Sequence, residues 1–156
     1  MLRSIGDFIS EITGGARHPV NFEETDFRLA AAALLVHVAT TDNQFDDSER
    51  AKLHEVLSER FNLNGEEADE LIESAIKADL EAVDLYQFTS LLNRTFDENE
   101  RIKVVEMMFQ VAYADGQLSE FEDNIVWRAA ELMHVPSRER VTIRRQVRDE
   151  STGEEN

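Results

Sequence analysis

Residues 111–122 read VAYADGQLSEFE: the end of an apolar helix, an acidic loop and the start of another helix. Residues 38–49 read VATTDNQFDDSE and follow the same order. A shift of 73 residues aligns residues 34–53 with 107–126 and gives five identities in twenty positions. One such unit cannot bury its apolar helix alone, whereas two related units can pack on each other. The sequence therefore predicts two pseudo-repeated helix–acidic loop–helix units.

Helix-capping signals recur along the chain, each a short polar residue followed three positions later by Glu or Gln. The pairs are Asp46–Glu49, Asn64–Glu67, Asp84–Gln87, Asp97–Glu100 and Ser119–Glu122. Apolar residues recur at helical spacing between these signals. Helices are predicted at residues 2–13, 26–41, 47–60, 65–78, 84–94, 98–114, 120–133 and 138–148. The expected fold is all-α, a single-domain bundle of about seven to eight short helices.

Three segments are predicted from the composition. Residues 1–18 are expected to form an amphipathic N-terminal helix and a Gly-rich hinge, and residues 22–148 the helical domain. Residues 149–156 are expected to be a disordered acidic tail.

Two apolar helices are the candidates for the centre of the bundle. Their core residues are Phe27, Ala30, Ala31, Leu34, Leu35 and Val38 in one, and Val105, Met108, Phe109, Ala112 and Tyr113 in the other.

Negative charge is concentrated in the first two thirds of the chain. The formal net charge is −17, and residues 20–100 carry 20 acidic and 6 basic side chains, a net of −14. Residues 101–156 carry 11 acidic and 8 basic side chains, a net of −3. Nucleic acids and anionic membrane surfaces would be repelled. The charge indicates either a solubility feature or an acidic surface for a cationic partner or a divalent metal.

Enzyme chemistry finds no support in the residues. The chain has no cysteine, which excludes thiol nucleophiles and thiolate metal sites and agrees with a reducing, cytoplasmic compartment. No nucleophile elbow, phosphate-binding Gly-rich loop or HExxH zinc motif is present. No apolar run is long enough to insert into a bilayer. We therefore expect no catalytic residues.

The two acidic loops are candidate sites for a hard divalent cation, because clustered carboxylate oxygens are the ligands that Ca²⁺ and Mg²⁺ prefer. The candidate ligands are Asp42, Asp46, Glu49, Asp115 and Glu122. His37 lies one turn before the first loop and could join a site there. Asp46 and Ser119 are also well suited to capping the helices that follow, with Glu49 and Glu122 as capping-box partners. The sequence leaves both roles open.

Several segments resemble the TerB-like domains of the tellurite-resistance TerB family. The resemblance covers about residues 22–148 and is carried by LAAAALL at 29–35, DLYQFT at 84–89, VAYADG at 111–116 and LMHVP at 132–136. It implies an all-helical fold with two pseudo-symmetric units. It also implies a link to tellurite and other stress responses, with acidic residues suggested to bind metal. Relatives usually carry Gly where Asn43 stands and an acidic residue where Gln44 stands.

Two functions follow as expectations. The first is a non-enzymatic interaction or scaffold domain of a bacterial stress-response system, acting on protein partners through its acidic surface. The alternative is a domain that binds or senses a divalent cation such as Ca²⁺, Mg²⁺ or Zn²⁺ through the two acidic loops. No other cofactor is indicated. Whether the chain forms a homodimer is left open.

Overall fold

The computed structural model describes residues 26–41, 45–114 and 116–153, and within these ranges it contains seven α-helices and no strand. The helices are α1 (Phe27–Ala39), α2 (Asp47–Phe61), α3 (Gly65–Glu81), α4 (Tyr86–Thr95), α5 (Glu98–Ala112), α6 (Glu120–Leu132) and α7 (Ser137–Gly153). The all-α prediction is confirmed. The predicted helix at residues 2–13 lies outside the described residues.

Helix α1 is the centre of the bundle. A helix that is apolar on every side has to be buried on every side. In α1, ten residues between Leu29 and Ala39 are buried. They are Leu29, Ala30, Ala31, Ala32, Ala33, Leu34, Leu35, Val36, Val38 and Ala39. Helices α2 to α6 all pack against α1, most extensively α3. The short side chains of Ala30–Ala33 let these neighbours approach closely.

The two ends of α1 are held by different interactions. At its start, the Phe27 ring lies 5.9 Å from that of Phe61, the last residue of α2, and 5.2 Å from that of Phe96, the C-cap of α4. At its end, Nδ1 of His37 lies 2.8 Å from Oδ1 of Asp79 on α3. The C-terminal turns of α1 and α3 therefore lie side by side.

Helix α7 covers α5 and α6 from outside. Its buried Arg140 places the guanidinium carbon 4.1 Å from the centroid of the Trp127 ring and donates from Nη1 to the Trp127 carbonyl at 3.0 Å. A guanidinium over an indole face gains cation–π attraction. Trp127 thus anchors α6 to α7.

Two sequence predictions require correction. Helix α7 continues to Gly153, so residues 149–153 are helical and not part of a disordered tail; the Ser151 hydroxyl lies 3.5 Å from the Tyr113 carbonyl, which brings this last turn against the end of α5. The predicted cap pair Asp84–Gln87 is wrong. Helix α4 starts two residues later, because Oδ1 of Asp84 accepts from the N–H of Tyr86 at 2.8 Å and leaves Leu85 as the N-cap.

Helices α2 and α6 end alike, with a residue in left-handed conformation and a backbone hydrogen bond that closes the last turn. Asn62 has φ 54° and is followed by Leu63, whose N–H donates to the Ser58 carbonyl at 3.0 Å. His134 has φ 61° and is followed by Val135, whose N–H donates to the Ala130 carbonyl at 2.9 Å. Asparagine tolerates this conformation better than histidine does.

We expect His134→Gly to stabilise the protein, because glycine adopts positive φ without the steric cost that an exposed histidine carries there. The free energy of unfolding, measured by urea denaturation, should rise by about 1 kcal/mol. The matched variant Asn62→Gly should change it much less. A loss of stability in His134→Gly would mean that the histidine side chain stabilises this turn.

Candidate functional site

The two acidic loops are each flanked by a helix end and a helix start that match at the 73-residue offset. We name residues 38–50 the first junction and residues 111–123 the second junction. The N–H of Thr40 donates to the carbonyls of Val36 and Val38. The N–H of Tyr113 donates to the equivalent carbonyls at the end of α5, those of Phe109 and Val111. These hydrogen bonds match at the two helix ends, and the pseudo-repeat of the two units stays a prediction.

Both junctions close with a capping box. In the first, the N–H of Glu49 donates to Oδ1 of Asp46 at 2.9 Å and the N–H of Asp46 donates to Oε1 of Glu49 at 3.1 Å. In the second, the N–H of Glu122 donates to Oγ of Ser119 and the N–H of Ser119 to Oε1 of Glu122, both at 3.0 Å. Each pair satisfies two backbone donors at a helix start. The capping role predicted for these residues is confirmed.

Burial separates these two boxes from the others in the described part of the chain. Glu49 and Glu122 are only 5% and 4% exposed. The boxes Asn64–Glu67 and Asp97–Glu100 have the same hydrogen bonds, yet Glu67 is half-buried and Glu100 is exposed. Capping therefore does not require burial of the glutamate. Burial of the glutamate at these two equivalent positions distinguishes the junctions from the other capping boxes and marks them as the candidate site.

The five candidate metal ligands are only in part within the described residues. Asp42 and Asp115 lie outside them. Asp46, Glu49 and Glu122 are described: the first two share one capping box, and the third belongs to the other. Among the described residues, no group of three or more His, Asp or Glu side chains is arranged to hold a metal ion. Metal binding at the junctions stays a prediction.

His37 does not join the described carboxylates of the first junction. It pairs instead with Asp79, whose carboxylate accepts the hydrogen bond, so the proton lies on Nδ1 of the imidazole. The Asp79 side chain is mostly shielded from solvent, whereas the His37 ring is about one-third exposed. Sequence reasoning missed this pair because the two residues are 42 positions apart and no local pattern links them.

The second junction also carries cationic groups from α7. Arg144 donates from Nη1 to Oδ2 of Asp123 at 3.2 Å. Burial raises the pKa of the neighbouring Tyr113 above its usual 10.0, and the Asp123 charge acts in the same direction, while Arg144 and Arg148 oppose both. Tyr113 is therefore a neutral phenol at physiological pH. Arg144 of α7 therefore balances one acidic group of this junction.

Helix α3 carries the most one-sided charge, with seven acidic side chains and one lysine. The acidic residues are Glu66, Glu67, Asp69, Glu70, Glu73, Asp79 and Glu81. Arg50 of α2 reaches this surface and donates to Oε2 of Glu73 at 3.0 Å. Four of the seven carboxylates, those of Glu66, Asp69, Glu73 and Glu81, belong to exposed residues. We name these four residues the α3 acidic surface.

The pH dependence of stability should report the cap of the first junction. Hydrogen bonds from the Glu49 N–H and the Ser48 hydroxyl hold the pKa of Asp46 below its usual 3.8. The charged form is thus favoured in the folded state, so its stabilising effect is present above about pH 4 and lost as the pH falls through the lowered pKa.

We therefore compare the wild type with Asp46→Asn, which keeps an N-cap acceptor but cannot ionise. The difference in their free energies of unfolding, measured by urea denaturation, should be constant between about pH 6 and 8 and shrink below about pH 4. A difference that does not change with pH would show that the Asp46 charge contributes nothing to the cap.

The described residues contain no helix with the length and apolar character needed to cross a membrane.

Among curated proteins, no relative matches the chain. A solved structure of a protein of unknown function from Porphyromonas gingivalis W83 has the same fold, with a TM-score of 0.57 and 18% identity over 79% of this chain and 89% of that one. The family model for tellurite resistance protein TerB matches residues 28–145. This match extends over α1 from its second residue, all of α2 to α6, both junctions and the first half of α7, and the chain therefore belongs to the TerB family.

Proposed function

We propose that this protein is a non-enzymatic interaction domain of a bacterial stress-response system of the tellurite-resistance type, and that it binds protein partners through the α3 acidic surface. The system is suggested by the name of the family. The observation that carries the proposal is the exposure of four carboxylates on one helix that offers only Lys77 as a cation of its own.

The segregation of charge within the fold supports this function. Helix α3 has a net charge of −6, from seven acidic residues and one lysine. Helix α7 has a net charge of +2, from five arginines and three acidic residues, and Arg144 already pairs with Asp123. A solubility feature would need no such separation, whereas an acidic surface with few cations steers a cationic partner to one face.

Neutralising the α3 acidic surface should weaken partner capture. The variant Glu66→Gln/Asp69→Asn/Glu73→Gln is immobilised and its recovery of proteins from the native host is compared with that of the wild type by quantitative mass spectrometry. Proteins that bind this surface should be recovered several-fold less, and their capture should fall with added salt.

A matched variant separates position from total charge. Asp97→Asn/Glu98→Gln/Glu100→Gln removes three exposed carboxylates at the start of α5, while Asn and Gln preserve its capping box. This variant should retain the partners. Equal losses from both variants would mean that only the overall charge matters, and undiminished capture by the α3 variant would contradict the proposal.

The buried glutamates of the junctions favour a second candidate function, binding of a divalent cation. Glu49 and Glu122 lie at equivalent positions, both are buried, and each follows an acidic loop that contains a further candidate ligand, Asp42 or Asp115. Carboxylate oxygens held beside an acidic loop are ligands of the kind that hard divalent cations prefer. Loops and glutamates together would then form the ligand set.

Thermal unfolding of EDTA-treated protein tests this function, with Ca²⁺, Mg²⁺, Mn²⁺ and Zn²⁺ added separately at constant ionic strength. A specific ion at about 100 times its Kd should add roughly 2.7 kcal/mol to the free energy of unfolding. Glu49→Gln and Glu122→Gln should lose this stabilisation, because an amide keeps the capping hydrogen bond but lacks the charge.

The matched control is Glu100→Gln, which makes the same change in an exposed capping box. It should keep the full response to the ion. Small shifts of equal size with every cation and in every variant would indicate screening of the −17 net charge and would rule out a metal site at the junctions.

A further inference from the structure

The turn between α3 and α4 exposes large apolar side chains in one short segment. Leu80 is 80% exposed, Val83 95% and Tyr86 64%. In the described residues, the only other large hydrophobic residue that is exposed is Phe121, on α6. Single apolar residues on a surface are ordinary, but three of them within seven residues of one turn indicate an interaction site. We name residues 80–86 the apolar corner.

The fold holds these side chains outward. Leu85 and Phe88 are buried in the core, which fixes the side of α4 that faces inward. The carboxylate of Asp84 accepts from the N–H of Tyr86 at 2.8 Å and shapes the turn before α4. Tyr86, next to the buried Leu85, is consequently directed away from the core. Leu80 lies in the last turn of α3 on a side that none of the other described helices covers, and Val83 follows in the turn where the chain has not yet rejoined the core.

Carboxylates alternate with the apolar side chains of the corner. Leu80 is followed by Glu81 and Val83 by Asp84, and both acidic residues are exposed. The six residue steps from Leu80 to Tyr86 span at most about 20 Å. A helix of about 14 residues has that length. A ligand that matches the corner therefore presents apolar side chains along one face with cationic side chains beside them.

We propose that the apolar corner docks an amphipathic helical segment of a partner protein, whose apolar side chains contact Leu80, Val83 and Tyr86 and whose Lys or Arg side chains pair with Glu81 and Asp84. This rests on the proposed interaction function and names the chemistry of the partner. Apolar anchors at a spacing of three and four residues supply the affinity of such helices. The carboxylates select basic helices and reject acidic ones.

Charge argues against the other occupants. In a symmetric pair of two copies of this chain, the same patch meets itself, so Glu81 and Asp84 would face their own equivalents. An anionic lipid surface would be repelled by the corner and by the α3 acidic surface beside it. A basic helix meets neither obstacle.

The test uses the full chain and two fluorescein-labelled peptides of about 16 residues. Both consist of Leu, Lys and Ala in the same proportions. One places its leucines at i, i+3, i+4 and i+7 so that they share a helix face, and the other rearranges them so that they do not. Kd is measured by fluorescence anisotropy at about physiological ionic strength.

The Kd of the patterned peptide should be lower than that of the rearranged peptide by a factor of about ten or more. The variant Leu80→Ser/Val83→Ser/Tyr86→Ser should lose that preference. The matched variant Phe121→Ser, which replaces a side chain 66% exposed elsewhere on the surface, should keep it. Circular dichroism and thermal unfolding establish that both variants are folded. Glu81→Gln/Asp84→Asn should weaken binding and reduce its dependence on salt.

Equal binding of the two peptides, or undiminished binding by the triple variant, overturns the docking proposal. The proposed function fails separately, through the α3 variant Glu66→Gln/Asp69→Asn/Glu73→Gln. A dimer seen by sedimentation velocity and lost in the triple variant identifies a second copy as the occupant. Peptide binding gained only after deletion of residues 1–20 identifies the chain's own N-terminal segment. Corner-dependent binding to phosphatidylserine vesicles identifies a lipid surface, and each of these three results replaces the proposed partner.

Discussion

Helix α1 has no polar face, so each of its sides has to be covered by another helix. Five helices, α2 to α6, provide that cover, and α7 lies outside them on α5 and α6. The run of four alanines allows this close packing, and the aromatic contacts of Phe27 and the His37–Asp79 pair hold the two ends of the helix. The acidic residues are left to the outer helices because the centre has no place for an unpaired charge.

This arrangement places the functional surfaces. Helix α3 packs on α1 with its apolar side, which directs Glu66, Asp69 and Glu73 to solvent. The turn that ends α3 then exposes Leu80 and Val83 before α4 returns to the core through Leu85. An acidic helix and an apolar corner thus lie in sequence on one part of the surface. Their combination is suited to a basic, amphipathic partner, whereas an acidic surface alone would attract any cation.

At the junctions, some of the residues that cap helices α2 and α6 are also candidate ligands of a divalent cation. A capping box does not need a buried glutamate: Glu67 of the Asn64 box is half-buried and Glu100 of the Asp97 box is exposed. Glu49 and Glu122 are nevertheless buried, and Arg144 brings a cation to the second junction through Asp123. The burial of two equivalent carboxylates is what distinguishes the junctions from ordinary helix starts, and it supports the metal-binding alternative.

The sequence by itself determined the all-α fold, six of the seven described helix starts to within a residue and four of the five capping boxes, because caps and helical periodicity are local properties. It also indicated α1 as one of two apolar helices that could form the centre of the bundle. Only the tertiary structure decided which of the capping glutamates are buried, that His37 pairs with Asp79, and that α7 continues past Asp149. It alone decided that the side chains of Leu80, Val83 and Tyr86 are exposed and do not join the core. These features depend on which helices become neighbours, and contacts between residues distant in the chain leave no local pattern in the sequence.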